Sequence, residues 1–215
     1  LYSSLIPRFF KKFTLGNKSS KLKFNNILRP LETQDTFLRK MDRTLLIQSS
    51  DIVQNNIKAK NALAFDLSAA CSGFLYSLET GARFIESGKY KYIMVIGVDT
   101  MTSILDFKDR ETCIIFGDGA GGVILEASKS NSGILGSILK TDGSGAESLN
   151  VLAGGSKFPA SIDTINQRQH YIKQDGKKVF KFAIRKMSDV STQLLKENGL
   201  SGTDVDLFIP HQANK

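Results

Sequence analysis

The chain has 215 residues, 41% hydrophobic and 23% charged, an ordinary composition for a globular protein that can bury a core without staples. Two cysteines exclude a disulfide framework, two histidines exclude a clustered histidine metal site, and no apolar run reaches the ~18 residues of a membrane span. The net charge of +8 does not mark a nucleic-acid binder: residues 1–31 carry seven basic residues and no acid, and the remainder holds 22 basic and 21 acidic residues.

The chain starts at Leu1 rather than Met, and residues 1–50 form an unassigned basic leader. Its Ser, Arg and Lys content without acid suits an organelle transit peptide, a tail for anionic surfaces, or a stretch that is not native sequence. From about residue 51 the pattern becomes regular. Asn61–Asp66 is a short apolar run that predicts a buried strand. Small residues follow from Ser68 to Gly73. Phe74, Leu75, Leu78, Ala82 and Ile85 then recur at helical spacing, with Gly88 as a stop. Tyr92–Val98 predicts a buried strand, Thr112–Phe116 another, and Val123–Ala127 a third. A Ser/Asn/Gly stretch at 128–133 marks a boundary, after which Ile134–Leu139 reads as a strand and 143–176 as loop-rich. Val179, Phe180, Ala183, Ile184, Met187, Val190, Leu194 and Leu195 predict a long amphipathic helix closed by Gly199. Asp206–Ile209 predicts a last strand. Apolar strands alternating with helices imply a layered α/β fold.

Cys71 falls between a predicted buried strand and an amphipathic helix, among Ala, Ser and Gly. A helix start carries partial positive charge that favours a thiolate, and its open N–H groups can hold an oxyanion. A nucleophile on a strand–turn–helix elbow fits this placement, and so does a buried structural cysteine. Cys113, inside a predicted strand, reads as structural. His211 follows Pro210 directly after a predicted strand, where α/β folds place catalytic groups, and fits either a proton donor or a surface histidine. His170, between Gln169 and Tyr171, reads as exposed. Gly117, Gly119 and Gly122 match G-x-G-x-x-G, but the fingerprint must open a helix and here precedes a strand. The glycines instead suit a tight loop passing a ligand or another backbone, with Asp118 bracing it by hydrogen bonds.

Four blocks then carry a resemblance. FDLSAACSGFLYSLETGARFIESGKYKYIMVIGVDTMT, DRETCIIFGDGAGGVILEAS, VFKFAIRKM and FIPHQANK, in that order, resemble the β-ketoacyl-acyl-carrier-protein synthase III family over about residues 51–215. The resemblance implies a thiolase-like α-β-α-β-α layered fold, incomplete at both ends. Residues 51–129 would be its N-terminal half and 130–215 its C-terminal half. It implies a homodimeric acyltransferase that condenses an acyl-CoA, chiefly acetyl-CoA, with malonyl-acyl carrier protein to start fatty-acid synthesis. Cys71 maps onto the family's acyl-accepting cysteine and His211 onto its catalytic histidine. Arg110 maps onto an arginine that contacts coenzyme A, and Phe180 onto a residue lining the pantetheine tunnel. Gln212, Ala213, Asn214 and Lys215 match the start of the segment implicated in carrier-protein docking. Gly117, Asp118 and Gly119 would support the site as a loop. No metal, cofactor, nucleic acid or membrane is implied. The setting would be bacterial cytoplasm or plastid stroma.

The departures are equally specific. The family's catalytic asparagine stands in a Gly-Asn-Thr block beyond the histidine, and no such block occurs here, so a full condensation cycle is not expected of these 215 residues alone. No tryptophan is present to stack on adenine. Residues 1–50 show neither the strand nor the Thr/Pro/Ser-rich loop expected ahead of Ile52. A non-catalytic remnant with a binding or dimerising role is the alternative. Polyketide-type and hydroxymethylglutaryl-CoA synthases also share the cysteine elbow.

Overall fold

A computed structural model describes residues 49–129 and 132–211, together with the backbone of 21–25. The described residues fall into two compact units. One combines the chain up to Val98 with Ala120–Ile134, and the other combines Asp99–Gly119 with the chain from Leu135 onward.

The first unit is built on a three-stranded sheet of β1 (Lys21–Asn25), β2 (Tyr92–Thr100) and β3 (Asp118–Ser128), in the order β1-β3-β2. β1 runs antiparallel to β3, with Lys21 opposite Ser128 and Asn25 opposite Ile124. This strand corrects the expectation that residues 1–50 contain none. Its Lys-Leu-Lys-Phe-Asn alternation has the strand period of two, but five residues are easily lost within a basic segment. Two helices belong to the same unit: α1 (Ser49–Asn56) and α2 (Gly73–Glu86).

The spacing of apolar residues in α2 does what the sequence predicts. Ala82 and Ile85 are fully buried and form the core with Val95 of β2 and Leu125 of β3, and Phe74, Leu78, Ile93, Val123 and Ile134 pack around them. Gly81 is where the helix comes closest. A Cβ there would lie 2.9 Å from Leu125 Cδ1 and 3.2 Å from Val95 Cγ2. Gly88 ends the helix at φ +74, donating its N–H to the Ile85 carbonyl.

The second unit contains β4 (Leu149–Val151) and β5 (Ile172–Gln174), which pair antiparallel, the short helix α3 (Ile162–Asn166) and the 22-residue helix α4 (Gly176–Glu197). Asp175 caps α4 by accepting the Lys178 N–H at 3.1 Å. At the other end Gly199 takes φ +66 while the Leu200 N–H bonds the Leu195 carbonyl, as a left-handed helix stop requires. Val179, Ala183, Met187, Val190 and Leu194 make one half-buried stripe, whereas Phe180, Phe182 and Ile184 are exposed.

Four predicted strands are not strands. Asn61–Asp66, Ile134–Leu139 and Asp206–Ile209 carry no ladder among the described residues. A strand is defined by its pairing, and an apolar run cannot report whether a neighbour exists. Asn61–Asp66 is also exposed rather than buried, with Leu63 69% and Phe65 45% accessible. Its last residue is anchored by side chain: Asp66 accepts the Ser49 and Ser50 N–H groups at 2.7 and 2.8 Å, capping α1. Those bonds hold the Asp66 carboxyl below its ordinary value, outweighing the desolvation that opposes them. Side-chain contacts likewise fix 136–140, with Gly136 against Asn198 and the Lys140 ammonium donating to Gln193 Oε1.

Thr112–Phe116 fails for another reason. It is a run of turns in which Cys113 N–H bonds the Asp109 carbonyl and Ile115 N–H the Thr112 carbonyl. Asp109 starts it by accepting the Glu111 N–H at 3.0 Å, and a backbone satisfied locally has no groups left for a ladder. The glycine segment departs in the opposite sense. Asp118 and Gly119 already belong to β3, with only Gly117 ahead of it, so this stretch is strand and not loop. Gly122 shows why glycine suits it: a Cβ there would sit 2.9 Å from the Val95 carbonyl oxygen of β2.

Candidate active site

Cys71 is exposed and stands where the sequence places it, two residues before α2, in a single 3₁₀ turn spanning Ala70–Ser72. The turn closes through Ser72 N–H to the Ala69 carbonyl at 3.2 Å. Ala70, directly before the cysteine, adopts φ +47. A left-handed alanine costs ~1–3 kcal/mol, and such strain concentrates where a side chain must be presented outward. Gly97 of β2 sets the height of the elbow. A Cβ at that position would lie 3.2 Å from Phe74 Cβ, so glycine lets the first turn of α2 settle on the strand. Ser72, the residue ahead of the helix, makes no side-chain cap bond, so its side chain does not occupy the first-turn N–H groups beside Cys71.

His211 lies in the second unit, exposed, directly after Pro210. The strand expected ahead of it carries no ladder among the described residues. Gln212, Ala213, Asn214 and Lys215 lie outside the described residues. Asp118 accepts the Thr102 N–H at 2.8 Å and the Thr102 hydroxyl at 2.6 Å, from the start of β3 rather than from a loop. Cys113 is half-buried within turns rather than in a strand. His170 is half-buried, not exposed, with Nε2 2.9 Å from Thr164 Oγ1 and its ring near Gly154. Its polar sequence neighbours hid the fact that α3 folds back toward it.

The second unit also contains a cleft of about 530 Å³ lined by Glu111, Ile115, Gln174, Asp175, Gly176 and Lys177. One wall is the turn segment at Glu111 and Ile115 and the other the β5–α4 junction, and the two residues assigned to coenzyme A lie next to this lining rather than in it. Exposed Arg110 adjoins Glu111 on one wall, and Phe180 lies one helical turn beyond Gly176 on the other. The sequence gives no hint of what fastens these walls. Buried Asp106 receives both Nε (2.9 Å, at Oδ2) and an Nη of Arg168 in a two-pronged ion pair, and the guanidinium also lies 4.8 Å over the Tyr171 ring. Asp106 and Arg168 are 62 positions apart, and no local pattern couples them.

The Arg168 bond, followed by the Lys108 N–H, holds the Asp106 carboxyl below its ordinary value. Asp142, Asp175 and Asp204 move the same way, through bonds from Ser144, Lys178 and Ser201 respectively. The stability these groups confer is present above the unfolded carboxylate value of ~3.9 and is lost as pH falls through their lower folded values. Thermal melts between pH 7 and pH ~3 should therefore show a shallower acid decline in Asp106→Asn than in wild type, from a lower starting point. Parallel curves would contradict the assignment to Asp106.

Among known proteins, residues 65–143 match the family described as 3-Oxoacyl-[acyl-carrier-protein (ACP)] synthase III. The chain is 53% identical over 166 residues to a beta-ketoacyl-[acyl-carrier-protein] synthase III of Koribacter versatilis, covering 76% of this chain and 50% of that protein. A synthase III of Chlorobium luteolum is 45% identical over 212 residues, 97% of this chain and 64% of the relative, so that match extends into the basic leader. A solved 3-oxoacyl-[acyl-carrier-protein] synthase III from Aquifex aeolicus VF5 superposes with a TM-score of 0.69 at 38% identity, covering 80% of this chain and 51% of that one. The fold is thus α/β and thiolase-like. Over the matched residues the chain is similar to β-ketoacyl-acyl-carrier-protein synthase III proteins, and it spans about half the length of the first curated relatives it matches.

Proposed function

We propose that the full-length protein carrying this chain condenses an acyl-CoA, in the first instance acetyl-CoA, with malonyl-acyl carrier protein. The observation that carries the proposal is exposed Cys71, presented by a left-handed residue at the positive end of α2, inside the segment that matches the family. The Cys71 thiolate attacks the thioester carbonyl, and the carbonyl re-forms as coenzyme A leaves as its thiolate. The acyl group then rests on Sγ. Loss of CO2 from the malonyl thioester leaves an enolate, whose oxygen accepts a hydrogen bond from His211. The enolate carbon attacks the acyl carbon, the C–Sγ bond breaks, and the β-ketoacyl carrier protein departs. No step calls for a metal or resident cofactor. Arg110 pairs with coenzyme A phosphate and Phe180 lines the pantetheine path, as their places beside the cleft support. Gln212, Ala213, Asn214 and Lys215 take part in docking the carrier protein.

The protein acts as a homodimer, supported by the exposed, unladdered apolar run at 61–66. Its setting is bacterial cytoplasm or plastid stroma. Among the described residues no helix is long and apolar enough to cross a membrane.

The roles of cysteine and histidine separate by half-reaction. Full-length protein given acetyl-CoA and malonyl-acyl carrier protein should release acetoacetyl carrier protein. His211→Ala should still take acetyl from acetyl-CoA but condense at least ~10²-fold more slowly. Absence of condensation by the wild type would overturn the function. An equal loss of both half-reactions in His211→Ala would overturn the histidine's role.

A further inference from the structure

The segment bearing Arg110 has no regular structure to hold it. Residues 105–117 are turns and irregular backbone, and Phe107 and Ile114 are exposed. What shapes it is a pair of aspartates. Asp106 accepts the Lys108 N–H at 2.9 Å and Asp109 accepts the Glu111 N–H at 3.0 Å, so the two carboxylates build the turn on either side of Arg110. Each also reaches out of the segment. Asp106 takes the two-pronged bond from Arg168, and Asp109 stands 3.8 Å from the Lys173 ammonium. Arg168 lies four residues ahead of β5 and Lys173 is its middle residue, and β5 leads through Asp175 directly into α4. One wall of the cleft is therefore bolted to the other just beside it.

Arg168 itself adopts φ +55. A non-glycine residue held in the left-handed region persists only where its surroundings over-determine it. Here the guanidinium fork on Asp106 and the stacking on Tyr171 supply that constraint. The lowered Asp106 and raised Arg168 proton affinities agree with a tight charged pair. A lone surface ion pair contributes little, but Asp106 is only 5% exposed, and its loss would leave the Arg110 turn without its anchor.

We propose that Asp106 and Arg168 are positioning residues that clamp the Arg110 turn against the β5–α4 wall and thereby set the grip on the nucleotide end of the acyl-CoA. The proposal rests on the condensing function above and extends it. Neither residue touches the reacting atoms. The clamp acts through Arg110 alone, so it matters only for substrates that carry the phosphates Arg110 meets.

That selectivity supplies the test. Acyl transfer to full-length wild type, Asp106→Asn and Arg168→Lys is measured with acetyl-CoA and with acetyl-N-acetylcysteamine, a short thioester without nucleotide. With acetyl-CoA each variant should show KM raised roughly ten- to a hundredfold at nearly unchanged kcat. With the short thioester each should match wild type. Combining Asp106→Asn with Arg110→Ala should add little to Arg110→Ala alone. An equal loss on both substrates would reduce the pair to a general structural role and overturn the proposal, as would unchanged KM for acetyl-CoA. Wild type that transfers from neither thioester would instead refute the condensing function itself.

Discussion

Cys71→Ala in the full-length protein should lower acyl transfer from acetyl-CoA by at least ~10³-fold, with folding intact. The size follows from what is removed. Sγ is the atom that becomes covalently attached, and the helix dipole and N–H groups around it have no other nucleophile to serve. The folding half follows from exposure, because an exposed thiol contributes little to the core. Cys113→Ala makes the internal control. That thiol is half-buried in a run of turns away from any helix start, and acyl transfer should stay within about twofold of wild type. Initial rates with labelled acetyl-CoA, together with circular dichroism of both variants, check the pair. A slow Cys113→Ala with a normal Cys71→Ala would reverse the assignment.

Leu125→Ala should cost ~2–5 kcal/mol, the largest single stability loss expected of the first unit. Leu125 is fully buried at the centre of β3 and meets Ala82, Ile85 and Val95 in the core. Its Cδ1 fills the space left open by Gly81, so the helix cannot collapse onto an alanine without moving its backbone. The cavity should therefore persist, which places the cost toward the upper part of that range. The melting temperature should fall by on the order of 10 °C. Leu125→Met, which conserves volume, should lose under ~1.5 kcal/mol. Equal melting temperatures for both variants would show that the core does not depend on this contact.

The two longer helices were legible because their signals are local, whereas Ser49–Asn56 and Ile162–Asn166, too short to show a clear apolar period, were not. The spacing from Phe74 to Ile85, the stop at Gly88 and the closure at Gly199 all appear where the residues indicate. So does Cys71 before α2, since small residues ahead of an amphipathic stretch define an elbow without reference to distant chain. Strands were legible only in part. Tyr92–Val98 and Val123–Ala127 find partners, but Asn61–Asp66 and Asp206–Ile209 look the same in sequence and find none among the described residues. Pairing is a property of two segments, and one of them says nothing about the other. Thr112–Phe116 misled differently: the aspartate at 109, not the apolar run, decides its conformation. The β4–β5 pair hides in a polar, glycine-rich stretch where three residues per strand leave no period to count. The Asp106–Arg168 bond is the extreme case, a contact between two ordinary charged residues that only the fold brings together.

The most direct test of the account is the mass of the full-length protein after brief exposure to acetyl-CoA alone, followed by peptide mapping. The account predicts one acetyl group per chain, on the peptide containing Cys71, released by hydroxylamine as a thioester should be. An unmodified protein, or an acetyl group on Cys113 or any other residue with Cys71 bare, would contradict it.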